Sequence, residues 1–169
     1  MHIDQSNLDA ELFLRQNIIG RLHAGQRELR DKYHSTNKRK LVFNCSRRFG
    51  KSTLLAAIAI EHCWRNPKAR VVFAAPTRAQ AKDIILPIMR DFMADAPAAI
   101  KAAYRVQEMM FVFPNGAEIH VDGADDEQGN HLRGSKATLV LADEAGFWRH
   151  CEYVINSILL PQTITCHGS

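Results

Sequence analysis

The segment Cys45-Ser46-Arg47-Arg48-Phe49-Gly50-Lys51-Ser52-Thr53 carries the residues best suited to chemistry. It fits the pattern G-x-x-x-x-G-K-[ST] with one departure, Cys45 where the first glycine belongs. That pattern suits phosphate. Backbone N–H groups curl around phosphate oxygens at a helix N-terminus, a lysine reaches the outer phosphates, and a hydroxyl ligates Mg²⁺. Gly50, Lys51 and Ser52 supply the last of these parts. The bland alternative is an ordinary helix start with Lys51 in solvent, and the triplet alone does not separate the two.

Far downstream, the apolar run Thr138-Leu139-Val140-Leu141-Ala142 ends in Asp143-Glu144. Hydrolysis of a nucleoside triphosphate needs such a pair: Asp143 for the Mg²⁺ shell and Glu144 to activate water for in-line attack. Taken in isolation, two adjacent acids more often end a strand and cap the next helix. A phosphate loop in the same chain favours the catalytic reading. Phosphoryl transfer also requires positive charge at the γ-phosphate oxygens. Arg47 inside the loop and Arg133 in Leu132-Arg133-Gly134 are the candidates, each otherwise a solvated surface arginine.

These groups need elements to position them. Leu8, Leu12, Leu14, Ile18 and Ile19 recur at near-helical spacing and predict an amphipathic helix from Leu8 to Arg21. A polar, basic stretch follows, ending in Asn37-Lys38-Arg39-Lys40. Leu41-Val42-Phe43 reads as a short buried strand entering the loop, and Leu54 to Ile60 as a helix buried on most sides. Val71 to Ala75 is a second buried strand, stopped by Pro76. Thr77 sits where an N-cap belongs, ahead of a helix through Ile84, Ile85, Ile88, Met89 and Phe92 that Pro87 should kink or divide. Met109 to Phe113, Pro114-Asn115-Gly116 and Ala117 to Val121 read as a β-hairpin, since Asn-Gly supplies the positive φ of a tight turn. Gly123 to Asn130 is acidic and loop-like. This order predicts an α/β domain with a mainly parallel sheet flanked by helices, plus a hairpin.

Composition agrees. The chain has 169 residues, 46% hydrophobic and 24% charged, enough for one globular domain and too apolar for general disorder. No apolar run of about 18 residues and no leader pattern is present, so a cytoplasmic protein without a membrane span is expected. Cys45, Cys63, Cys151 and Cys166 are scattered, with no metal-binding spacing, and read as reduced thiols. Twenty-two Lys+Arg against eighteen Asp+Glu leave a net charge of +4. That permits a polyanionic partner without requiring one.

With these pieces assembled, the chain resembles the N-terminal part of the ATPase domain of tailed-phage terminase large subunits, the motors that package double-stranded DNA. The resemblance rests on Gln26 in Ala24-Gly25-Gln26-Arg27-Glu28-Leu29, on Ser46 to Ser52, on Ala75-Pro76-Thr77, on Leu132-Arg133-Gly134 and on Leu139 to Glu144. It spans residues 22 to 169. It implies a P-loop fold of the additional-strand, catalytic-glutamate class, with ATP and Mg²⁺ as cofactors. Gln26 matches the adenine-reading glutamine. Ser46, Arg48, Gly50, Lys51, Ser52 and Thr53 match the nucleotide-binding loop, Ser52 and Asp143 the Mg²⁺ ligands, and Glu144 the catalytic carboxylate. Arg47 matches an arginine acting within its own subunit, and Arg133 one reaching into the neighbouring subunit of a homo-oligomeric ring. Duplex DNA, a portal protein and a small terminase subunit are the implied partners.

The family pattern continues with a coupling strand, set between the phosphate-loop strand and the Asp-Glu strand, and then with a nuclease domain. The chain is expected to be a partial ATPase domain, a helical lead-in to about residue 37 and a nucleotide-binding core from about 38 to 169. It would stop before both of those features and leave a gap in its sheet. A truncated product or a prophage remnant that binds nucleotide without turnover is one alternative. The first motor domain of a superfamily 2 helicase is another, because Pro76-Thr77-Arg78 fits it, although Asp143-Glu144-Ala145-Gly146 does not. Two weaker signals are read as solvated surface: Glu118, His120 and Asp122 alternating on one strand, and Lys38-Arg39-Lys40.

Overall fold

A computed structural model of the chain describes residues 4–36, 38, 40–46, 48–125 and 136–161. Five helices and five strands are found among them. Helix α1 (Gln5–Phe13) runs on into a wider π-helical turn, Leu14–Ile19, which accounts for the predicted first helix. Helix α2 (Ala24–Ser35) occupies part of the stretch that sequence reading left without an element. Only Gln26 of it is fully buried, and Leu29 and Tyr33, one turn apart, are the apolar residues that pack against the core, too few to mark a helix in a polar stretch.

Helix α3 (Lys51–Arg65) follows the phosphate loop, and the unbroken run Ala56–Glu61 is buried, as expected for a helix enclosed on most sides. Strand β1 (Arg70–Ala75) leads to helix α4 (Arg78–Met93), with Thr77 Oγ1 accepting from the Gln80 N–H at 3.2 Å. Pro87 does not divide α4, which runs as one helix through it. Strands β2 (Ala103–Arg105), β3 (Met110–Val112) and β4 (Glu118–Gly123) come next, then β5 (Leu139–Ala142) and the short helix α5 (Cys151–Tyr153), prolonged by a π-helical segment to Leu159. The Asn115-Gly116 turn is as predicted, with Gly116 at φ +82°.

The sheet order is β2-β3-β4-β1-β5. Strands β4 and β5 flank β1 in parallel, Phe73 lying opposite both Val121 and Leu141, whereas β2, β3 and β4 pair antiparallel. The sheet is therefore mixed, not mainly parallel. The hairpin causes the difference: its second strand is built directly into the central sheet and brings β3 and β2 with it.

Strand β1 is buried on both faces. Val71, Phe73 and Ala75 enter the main core with α3, α4 and the end of α1, while Val72 and Ala74 meet Val140, Ala142, Trp148, Val154 and Ile158 on the other side. A central parallel strand covered by helices on both faces reads as an unbroken apolar run for this reason.

One predicted strand is absent. Leu41–Phe43 forms no strand; Leu41 is 39% and Val42 79% exposed. Among the described residues β5 pairs with β1 alone and is an edge of the sheet. An apolar triplet becomes a strand only when a neighbour takes its backbone hydrogen bonds, and among the described residues no strand pairs with this segment.

Candidate nucleotide site

The site forms where three chain segments meet. Gly50 is the N-cap residue of α3, in the left-handed region at φ +78°, and α3 carries no side-chain cap. The first intrahelical bond is made by the Leu54 N–H to the Gly50 carbonyl at 3.0 Å. The amides of Lys51, Ser52 and Thr53 thus head the helix without an intrahelical acceptor, and together with the positive end of the helix dipole they suit an anion. Arg48 also has positive φ, +65°, so the loop turns sharply just before the helix.

Strand β5 carries the second segment. Asp143, 3% exposed, donates its N–H to the Ala74 carbonyl, and its own carbonyl accepts from the buried Trp148 indole at 3.1 Å. Its carboxylate accepts the Glu144 N–H at 3.0 Å on one oxygen and the Ser52 hydroxyl at 2.5 Å on the other. Ser52 and Asp143, far apart in the chain, are thereby in contact. A hydroxyl and a carboxylate side by side are hard oxygen donors of the kind Mg²⁺ takes while keeping its other positions for water and phosphate. Glu144 is exposed and holds the left-handed conformation, φ +52° and ψ +33°, which is costly for a residue with a side chain.

Between the loop and β5 lies a cleft of about 1560 Å³. Lys38, Lys40, Arg48, Lys51, Asp143 and Glu144 all line it, so its walls carry several cations as well as the two carboxylates. The Lys51 ammonium reaches back to the Ser46 carbonyl at 3.4 Å. A cationic wall of this kind draws in a polyanion, and the carboxylate pair at one point marks where a cation would sit with it.

The third segment is the start of α2. Gln26, 5% exposed, is buried against the loop: its amide donates to the Gly50 carbonyl at 2.9 Å and the Phe49 carbonyl at 3.3 Å. His23, which no motif singled out, caps α2 and contacts the Phe49 carbonyl at 3.0 Å. A His three residues before a Gln at a helix start was the available signal. Trp148 has no comparable signal. Arg47 and Arg133 lie outside the described residues.

Glu118, His120 and Asp122 are partly buried and paired, not freely solvated: His120 pairs with Glu118 at 2.7 Å and Arg78 with Asp122 at 3.2 Å. No group of three metal-ligating side chains occurs among the described residues. Lys38 and Lys40 are exposed; Arg39 lies outside the described set.

Residues 42–154, which include the loop, the sheet and the carboxylate pair, match the family described as terminase large subunit, T4-like-virus type, N-terminal. The chain belongs to this terminase family. No curated protein matches it. Among solved structures it is similar to the large terminase ATPase domain of Thermus phage P74-26, at 18% identity and a TM-score of 0.68. That alignment covers 90% of this chain and 64% of the phage domain, so the chain spans under two thirds of the relative's length. At that identity the likeness carries the fold, a P-loop-type α/β architecture, and the family match settles the earlier choice against a helicase. No helix among the described residues is long and apolar enough to cross a membrane.

Proposed function

We propose that this chain is the ATP-hydrolysing motor portion of a terminase large subunit that drives double-stranded DNA into a procapsid. The observation that carries the reading is the contact between Ser52 and Asp143 at the uncapped start of α3, with Glu144 beside it in a cationic cleft. Lys51 and the amides that open α3 bind the triphosphate. Ser52 and Asp143 hold Mg²⁺, which when bound neutralises charge on the phosphates. Glu144 takes the proton of the attacking water. Arg47 and Arg133 supply positive charge to the transferred group, Arg133 from a neighbouring subunit. In this reading the core is of the additional-strand, catalytic-glutamate class. The intact protein forms a homo-oligomeric ring in the host cytoplasm, with portal protein, small terminase subunit and duplex DNA as partners.

The test is hydrolysis of Mg²⁺-ATP by the chain. Glu144→Gln should retain nucleotide binding and lose hydrolysis by about a hundredfold or more, while Lys51→Ala should lose binding as well. Binding without hydrolysis in the parent chain would favour a nucleotide-binding fragment, and no binding in any form would end the proposal.

A further inference from the structure

We infer that His23 and Gln26 are positioning residues of the phosphate loop, a latch by which the first turn of α2 fixes the path of Phe49 and Gly50, and that Gln26 does not read the base. The Gln26 amide has two N–H donors and one carbonyl oxygen. Both donors go to the loop, at 2.9 Å to the Gly50 carbonyl and 3.3 Å to that of Phe49. The oxygen accepts the His23 backbone N–H at 2.9 Å. Recognition of a base edge by this side chain would need a free donor and an acceptor together, and the donors are spent inside the protein.

His23 completes the latch. Its Nδ1 accepts from the Gln26 N–H at 3.3 Å, which places the ring proton on Nε2, and Nε2 donates to the Phe49 carbonyl at 3.0 Å. The two rings meet edge to face, with centroids 4.8 Å apart. Gly25 is part of the fit, because a Cβ there would lie 3.1 Å from Phe49 and 3.3 Å from His23. A Cβ on Gly50 would come within 2.6 Å of the Gln26 amide nitrogen. The latch therefore admits no side chain at Gly50 as it stands.

The Gly50 carbonyl is the pivot, accepting both from Gln26 and from the Leu54 N–H that begins α3. Loop residues on either side of Phe49 have positive φ, a path that persists only where its surroundings hold it. The latch supplies that hold from a different helix, and so sets where the amides of Lys51 to Thr53 sit before any nucleotide arrives. In its catalytic consequence the inference rests on the nucleotide reading above; in its structural content it does not.

Hydrogen exchange on the nucleotide-free chain tests it directly. In Gln26→Glu a carboxylate faces the two carbonyls with no proton to give. The Leu54 amide should then exchange about tenfold faster, with amides near Ile60 unchanged. His23→Asn keeps an acceptor for the Gln26 N–H and loses only the Phe49 contact, so it should raise Leu54 exchange by less, about threefold, should the first variant prove unstable. In steady-state assays of Gln26→Glu, kcat/KM for ATP and for GTP should fall together, their ratio holding within about twofold. Unchanged Leu54 exchange in both variants, or an ATP-to-GTP ratio shifted by about tenfold, would overturn the latch. If the parent chain hydrolyses nothing, the functional proposal fails while the exchange measurement still decides this one.

Discussion

The two ends of helix α3 are built in opposite ways. At its C-terminal end the late carbonyls are answered: His62 by the Asn66 backbone and side-chain amides, Cys63 and Trp64 by the Asn115 side chain from the hairpin turn. One turn earlier Glu61, 1% exposed, takes a two-pronged contact from Arg30 at 2.6 and 2.7 Å, with His34 and Arg65 each at 3.0 Å. Glu11 adds the Trp64 indole at 2.9 Å. At the N-terminal end the helix has no side-chain cap, and Ser52 turns to Asp143 at the rim of an open cleft. Leaving polar groups unmet costs stability, and meeting them all leaves nothing to bind with. The helix is anchored at one end so that the other can afford to stay open.

This contrast makes separable predictions. The largest effect on stability belongs to the anchored end. Glu61→Ala removes the shared acceptor of Arg30, His34 and Arg65, leaving Arg30 only its contact with the exposed Asp31 and Arg65 that with Glu11, and should cost about 3 kcal/mol by chemical denaturation. A cost under about 1 kcal/mol would show that the cluster is not an anchor.

Acid should reach the same end next. Burial by itself would raise the Glu61 carboxyl, but hydrogen bonds from Arg30, His34 and Arg65 outweigh it and hold the group at about 2. Glu11 is also held below its ordinary value, burial being outweighed by Arg15 and Trp64. Both folded values lie below the unfolded ones. The contribution is therefore complete above about pH 4.5 and lost as pH falls toward about 2, worth roughly 3 kcal/mol for Glu61. Denaturant midpoints followed down that range should fall more steeply in the parent than in Glu61→Ala.

The open end should respond in the opposite sense. Ser52→Ala should change the stability of the nucleotide-free chain by about 1 kcal/mol or less, while abolishing the rise in melting temperature that Mg²⁺-ATP gives the parent. A large loss of apo stability would mean that the Ser52 contact is structural and would erase the contrast. The smallest effect is chemical. Burial, with the Glu118 charge nearby, pushes the Cys63 thiol up to about 12, so in the native chain it should stay unalkylated at about pH 8 and react only on unfolding.

How much of this was legible beforehand varied with the kind of evidence each element leaves. Strand β1, helix α3, the Asn115-Gly116 turn and the Thr77 cap were readable because burial, turn geometry and capping act over a few neighbouring residues. Helix α2 was not, since Leu29 and Tyr33 are too few to mark its inner face among polar residues. Leu41–Phe43 misled for the converse reason: its local preference is for a strand, but pairing is a property of two segments, and among the described residues β5 pairs with β1 alone. The mixed sheet likewise follows from where the hairpin docks, which no window of residues records.

The sequence by itself determined the chemical inventory. A Gly-Lys-Ser triplet before an apolar helix and an Asp-Glu pair after an apolar strand supply the residue types that a phosphate and its cation require, and so nominate the candidates. Only the tertiary structure decided which groups meet. It joined Ser52 to Asp143, spent the Gln26 amide on the loop, and buried Glu61 among its cations. Contacts between segments distant in the chain are set by sheet order and helix packing, and side-chain chemistry alone cannot fix either.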